Sequence, residues 1–403
     1  MNRFPPKKKI SYSDNPKNSM AAKKKAAVLK SLGKGLLIVL TVLSAFALFL
    51  SYSAKIILPS ISNVIAYCGL LFPYILLVNL GFVVIWLFID YRWALVPTLM
   101  ILLNVNNIDK HFQLRAQEKP ETCANCIKVM SYNARMFNMY EDNRKELNKQ
   151  VTDFLKKEEP DIFCVQEYFY DNSGRLGYNT TEEILKALKL PDNNKTYKLY
   201  LPLGNPRKYQ YGLAIFSRYR IIGSGVVEMN DSSANHSMYV DIRYNGDTLR
   251  IYNVHLSSMK LGSEDYETGN AMLHSNIDDP DIDQKARKLY HKIADAFEQR
   301  QHQAKCVRAD MDSCTHPIIV CGDFNDSPAS FSYHKIAHRL KDSFRSSGKG
   351  TGTTYAGEVF PAYRIDYILH DKQYNDFGHK VCSELKTSDH YPVYTYISII
   401  NKK

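Results

Sequence analysis

The stretch Pro317-Ile318-Ile319-Val320-Cys321-Gly322-Asp323-Phe324-Asn325-Asp326 decides how this chain is read. Ile318 to Cys321 form a short apolar run suited to a strand buried on both faces. Gly322 breaks the pattern, and Asp323, Asn325 and Asp326 sit just past the strand end. Turns favour Asp, Asn and Gly for conformational reasons alone. An acid and an amide held by a rigid strand also make a cradle for a metal ion and a phosphoryl group. The rest of the chain separates those two readings.

Short apolar runs flank this stretch on both sides. Ile127 to Tyr132, Asp161 to Gln166 and Gly212 to Arg218 are predicted strands. Ser237 to Tyr244 and Thr248 to His255 should pair across Asn245-Gly246-Asp247, a strong hairpin signal. Further strands are predicted at 353–356, 364–369 and 393–399. Helical spacing marks Arg144 to Lys157, through Leu147, Val151, Phe154 and Leu155, then Thr181 to Leu188 and the long Lys285 to Val307. Residues 257–282 form a polar insert carrying Tyr266, Met272 and Leu273, either a lid or a solvated loop. Strands and helices mixed without strict alternation predict an α/β sandwich rather than a doubly wound sheet.

Six sites with chemistry recur at strand ends: Asn133, Glu167, His255, Asp323 with Asn325, Asp366, and Asp389-His390. Each alone has an ordinary explanation as a cap, a solvated acid or a hydrogen-bonded core residue. Asp366 is harder to explain so, because it interrupts an apolar strand pattern and a buried carboxylate needs a partner. Six such sites in one domain do not share a purely structural origin.

The strings that carry them are Ser131-Tyr132-Asn133-Ala134-Arg135, Val165-Gln166-Glu167, Asn253-Val254-His255-Leu256, Gly322-Asp323-Phe324-Asn325, Arg364-Ile365-Asp366-Tyr367 and Ser388-Asp389-His390-Tyr391-Pro392-Val393. In this order, with Gly212 to Arg218, they resemble the endonuclease/exonuclease/phosphatase superfamily, in a membrane-anchored bacterial-type form. The resemblance implies a four-layered α/β sandwich of the deoxyribonuclease I-like kind, with its active site at one edge of two sheets. It implies that Glu167 holds a divalent metal, most readily Mg²⁺ with Mn²⁺ or Ca²⁺ as substitutes, and that Asp389 helps hold the metal or its water. Asn133 and Asn325 would donate to phosphate oxygens. His390, oriented by Asp366, would activate water or polarise the phosphate. Asp323 would position the nucleophile or shuttle a proton, and His255 would act on the leaving-group side. A second acid to pair with His255 is not matched, Glu228 being a weak candidate.

The formal charge of +11 lies outside this part of the chain. Residues 1–119 hold 15 Lys and Arg against 4 Asp and Glu, while residues 120–403 hold 37 of each. A neutral domain argues against a non-specific grip on nucleic acid. Residues 1–34 read as a basic cytoplasmic tail and residues 35–108 as a membrane anchor. Its spans are predicted at Leu36 to Ala54, about Val64 to Ile89, and the marginal Trp93 to Ile108. A linker is predicted at 109–126 and the catalytic domain at 127–403, outside the cytoplasm if all three spans cross. The eight cysteines are no disulfide framework, though Cys123/Cys126 and Cys306/Cys314 are spaced for local disulfides or a shared zinc site. The expectation is a membrane-anchored, Mg²⁺-dependent phosphohydrolase or phosphodiesterase acting on a phosphate ester, with a phospholipid or sphingolipid headgroup favoured. The alternative is an extracytoplasmic nuclease on DNA or RNA, and the third reading a non-catalytic scaffold of the same fold. No protein partner is inferred.

Overall fold

The run at Ile318 becomes an inner strand of one of two six-stranded sheets. A computed structural model describes residues 16–114, 126–174, 179–229, 235–273, 281–357 and 363–399. The first sheet has the order β11 (Asn375–Val381), β12 (Val393–Ser398), β1 (Cys126–Asn133), β2 (Ile162–Asp171), β4 (Tyr209–Ser217), β3 (Tyr197–Asn205). The second runs β5 (Ile221–Val227), β6 (Ser237–Tyr244), β7 (Asp247–His255), β8 (Ile318–Asp323), β10 (Asp366–Asp371), β9 (Leu340–Asp342). The hairpin read at Asn245-Gly246 forms, with Tyr244 opposite Asp247 and both turn residues at positive φ.

Alternation along the inner strands sorts their side chains between two cores. Ile127, Val129, Ile162 and Cys164 from one sheet meet Val240, Ile251, Ile319 and Cys321 from the other. The outer face of the first sheet buries Met130, Phe163 and Val165 against α6 (Arg144–Glu158) and α7 (Thr180–Leu188). Val254, Val320 and Leu369 on the second sheet pack against Ala304 and Val307 of α9 (Ile282–Ser313) and Tyr333 of α10 (Phe331–Ile336). The result is helix, sheet, sheet, helix. The apolar spacing that predicted a helix at Arg144 is thus the stripe that α6 buries.

Three expectations need correction. No strand forms at 353–356; Tyr355 makes an isolated bridge to His390 instead. The insert holds a helix, α8 (Ser263–Leu273), tied to α9 by Asp265 and Lys292 at 2.5 Å. Cys306 and Cys314 do not form a disulfide, since eight residues of α9 set them about 12 Å apart along the helix axis. Cys126 is disulfide-bonded, and the Cys123/Cys126 pairing lies outside the described residues.

The chain divides into two units, one of Met1–Phe49 with Tyr74–Leu102, the other of Leu50–Pro73 with Leu103–Lys403. The first includes most of α1 (Pro16–Ser53) and α3 (Phe72–Ile89), and Ala27–Ser53 and Phe72–Ile89 are long and apolar enough to cross a membrane. Lys34 meets Asp90 at 2.8 Å, Trp86 donates to Thr41 Oγ1, and Asn79 donates to Ser44, so the two helices run antiparallel. The third apolar stretch is interrupted at Asn104, giving α4 (Leu95–Leu103) and α5 (Val105–His111). In the second unit the loop with α2 (Asn63–Leu70) is bonded to the sandwich: Ser60 donates to Gln301 at 3.1 Å and Tyr67 to the Tyr290 carbonyl at 2.7 Å. Residues 109–114, read as linker, are held as firmly, by Asp109 to Arg345 at 2.6 Å and a Gln113–Gly350 backbone pair.

Candidate active site

Register brings the site together before any side chain is considered. On the second sheet His255 stands opposite Asp323, and Asp323 opposite Asp366, so three functional residues lie in a row across β7, β8 and β10. On the first sheet Asn133 at the end of β1 is level with Gln166, one residue before Glu167. Gly322 is required there: its φ is +147°, and an added Cβ would stand 1.8 Å from the Val254 carbonyl oxygen. Two buried amides pin the sheets to one another at this edge. Gln166 Nε2 donates to Asn253 Oδ1 at 2.6 Å, and Asn253 Nδ2 donates to the carbonyls of Val165 and Ala214.

Across the cleft, Asn133 Nδ2 donates to Asp323 Oδ2 at 3.0 Å and Glu167 Oε1 at 3.3 Å. Asn325 spends its amide hydrogens on Asp323 Oδ2 and the Leu256 carbonyl. His390 Nδ1 donates to Asp366 Oδ2 at 3.0 Å, and its Nε2 lies 3.7 Å from Asp323 Oδ2. His255 Nε2 is 3.7 Å from Asp323 and 3.9 Å from Glu167. Every residue expected at the site is therefore in or beside one cleft. Glu228 is not: it is exposed, and the carboxylates facing His255 are Glu167 and Asp323.

Burial and charge set the proton affinities. Burial pushes Asp323 up to about 6, with Asp366 adding to the rise and His390 and His255 opposing it. His390 is pulled down by burial, but Asp366 and Asp323 outweigh that and push it up to about 10. His255 is lowered by burial, and Nε2 accepts a hydrogen bond from Asn235 at 3.2 Å. Glu167 has a third of its side chain open, yet its surroundings strip enough water from the carboxyl to hold it above the ordinary range. The Asp389 charge raises Glu167 further.

Backbone strain collects at the same edge. Glu167 and Asn325 have φ of 49° and 51°, Glu167 at the irregularity in β2–β4 pairing. Arg135 to Asn138 form a left-handed turn with φ of 45° to 52°, at a cost of about 1 kcal/mol or more for each residue. Buried Phe137 and the bond from Asn138 to the Thr387 carbonyl hold it in place.

Sequence reading missed several supports. Asn235 holds His255 and the Leu256 carbonyl. Ser388 Oγ donates to the Asn133 carbonyl at 2.8 Å, joining the end of β1 to the Asp389-His390 turn. Thr354 Oγ1 accepts from the backbone of Ile365 and Asp366, and the Tyr355 ring stands edge-on to His390 at 5.3 Å. The Thr353-Thr354-Tyr355 string is the sequence signal for these supports, and its β-branched and aromatic residues also fit a strand.

The donor set suits a hard divalent cation. Among the described residues Asp366 Oδ1 is buried with no hydrogen-bond partner, and ligand atoms of Asp323, Asp366 and His390 lie within 4.8 Å of one another. The charges of Glu167 and Asp389 repel one another, which a bound cation would relieve. His390 Nδ1 is already engaged with Asp366, which favours a proton-handling role for that pair over ligation.

Residues 130–390 match the profile of the endonuclease/exonuclease/phosphatase family, and residues 34–111 that of a domain of unknown function. No curated protein matches the chain. Among solved structures it is similar to an endonuclease/exonuclease/phosphatase from Bacteroides vulgatus, at 16% identity and TM-score 0.48 over 69% of this chain and 100% of that one. It is also similar to a Bacteroides thetaiotaomicron mannosyl-6-phosphatase, at 17% identity and TM-score 0.47 over 68% and 100%. The human nocturnin catalytic domain with bound sulfate gives 15% and 0.47 over 71% and 97%.

Proposed function

Because the chain belongs to the endonuclease/exonuclease/phosphatase family, whose members are metal-dependent phosphoester hydrolases, we propose that it hydrolyses a phosphate ester from a membrane-anchored position, with Mg²⁺ as its metal. The observation that carries this reading is the convergence of Glu167, Asp323 and both histidines, drawn from both sheets, on one cleft. Glu167 and Asp389 would hold the cation, which supplies charge neutralisation at the phosphate when bound. Asn133 and Asn325 would offer amide hydrogens to non-bridging phosphate oxygens in exchange for the carboxylate oxygens they now hold.

Asp323, at about 6, is tuned to take a proton from the attacking water. His390, charged and clamped by Asp366, would stabilise negative charge building on the phosphate. His255, on the Glu167 side of Asp323, would serve the departing oxygen.

Anchorage and a neutral catalytic part favour a phospholipid or sphingolipid headgroup ester over nucleic acid. The loop Leu50–Pro73 supports an extracytoplasmic location. It connects the two candidate spans, so it lies on the side opposite the basic N-terminus if both cross, and Tyr91–Leu103 must then cross as well to return residue 109 to it. The same loop bonds to α9, in the unit that carries the catalytic residues. A disulfide at Cys126 is also suited to an oxidising compartment. The test of substrate class is the full-length chain in detergent with Mg²⁺, offered sphingomyelin-type lipid, inositol phosphates and plasmid DNA. Lipid headgroup release is expected; rapid cleavage of DNA alone overturns the lipid reading in favour of a nuclease.

A further inference from the structure

Beside the catalytic cluster lies a pocket of about 170 Å³. Its walls come from Met136 on the left-handed turn, Leu203 on β3, and Tyr211 and Leu213 on β4; Glu167 and His255 also line it. Apolar side chains thus stand next to the residues assigned to the chemistry. Lys260, the lining cation, is exposed at the rim. An anionic substituent deep inside would face the Glu167 carboxylate.

The volume is close to the roughly 150 Å³ of apolar cavities that take up a benzene molecule. Strain supports a purpose for the pocket. The turn Arg135 to Asn138 holds four non-glycine residues left-handed in a row, and Met136 within it lines the pocket. Buried Phe137 anchors the turn in the core against α6 and α7, and half-buried Met136 packs on the same core.

We propose that this pocket binds the alcohol side of the phosphate ester, and that the group it accepts is compact, carries no negative charge and is about one ring in size. The assignment rests on the phosphoester-hydrolase reading. In a lipid diester that alcohol is the headgroup, since a long acyl chain exceeds the pocket.

The test separates binding from turnover. Calorimetry on the full-length chain with Mg²⁺ compares benzylphosphonate with ethylphosphonate, neither of which can be hydrolysed at the carbon–phosphorus bond. Wild type should bind the benzyl compound about tenfold or more tightly. Leu203→Trp, which fills the pocket, should abolish that preference by weakening the benzyl compound far more than the ethyl one. Tyr211→Ala enlarges the pocket and should move the preference toward naphthylmethylphosphonate. Equal affinities, no binding of either compound, or a preference that survives Leu203→Trp overturns the proposal. Benzyl phosphate turnover is followed in parallel. Ring-selective binding without turnover keeps the pocket and rejects the hydrolase; turnover without ring selectivity does the reverse.

Discussion

His390 lies between two carboxylates, hydrogen-bonded to Asp366 and 3.7 Å from Asp323. Its folded value of about 10 is above the ordinary 6.5, so the group stabilises the fold fully below pH 6.5 and loses that contribution as pH rises through about 10. In EDTA, the stability difference between wild type and Asp366→Asn should therefore shrink as pH is raised from 6.5 toward 10. A pH-independent difference in thermal unfolding would sink this assignment. At this scale the chemistry was legible because each functional residue interrupts or ends an apolar run. Gln166 and Asn253 carried no comparable signal of their inter-sheet role, because a polar residue within a strand usually points to solvent. Glu228 misled for the converse reason: an acid of the right type in roughly the right interval has no claim on a histidine it does not face.

Elements were read unevenly, and the pattern is physical. β3, β5, β9 and β11 were missed, and these are the four edges of the two sheets. Inner strands are covered on both faces and spell apolar runs, whereas β3 carries Pro202 and β5 is interrupted by Gly223-Ser224-Gly225. Gly225 stands opposite Tyr239, whose ring occupies the space a Cβ would need. α9, the longest helical pattern, contributes more than packing. Its Arg300 is fully buried, donating to Asp326 at 3.3 Å and to the Ser257 carbonyl at 2.9 Å, while Gln303 accepts from the Ser257 amide. Helix and catalytic loop are thereby joined just past His255 and Asp323. Arg300→Met strands a buried carboxylate and should cost about 3–5 kcal/mol in urea unfolding, far above any surface pair such as Lys186–Glu183. A loss under 1 kcal/mol would mean that Asp326 is neutral or solvated in the folded chain.

For the whole molecule, charge distribution and apolar length set two helices long and apolar enough to cross a membrane ahead of a neutral domain, and both features are visible in the sequence alone. The third apolar stretch ends at Leu103: α4 is apolar apart from Thr98, whereas α5 carries Asn106, Asn107, Asp109, Lys110 and His111. A reporter fused after Lys403 should be active outside the cytoplasm and silent within it. Activity confined to the cytoplasm would mean that the loop Leu50–Pro73 lies there too, and that α1 and α3 do not both cross. The most direct test of the account is hydrolysis of a phosphate-ester panel by the full-length chain, with Mg²⁺ or EDTA, for wild type and Glu167→Gln. Wild type should cleave at least one ester with Mg²⁺ and none in EDTA, and Glu167→Gln should be slower by about a hundredfold or more. Cleavage that ignores both EDTA and the Glu167→Gln change, or no cleavage of any ester, would contradict it.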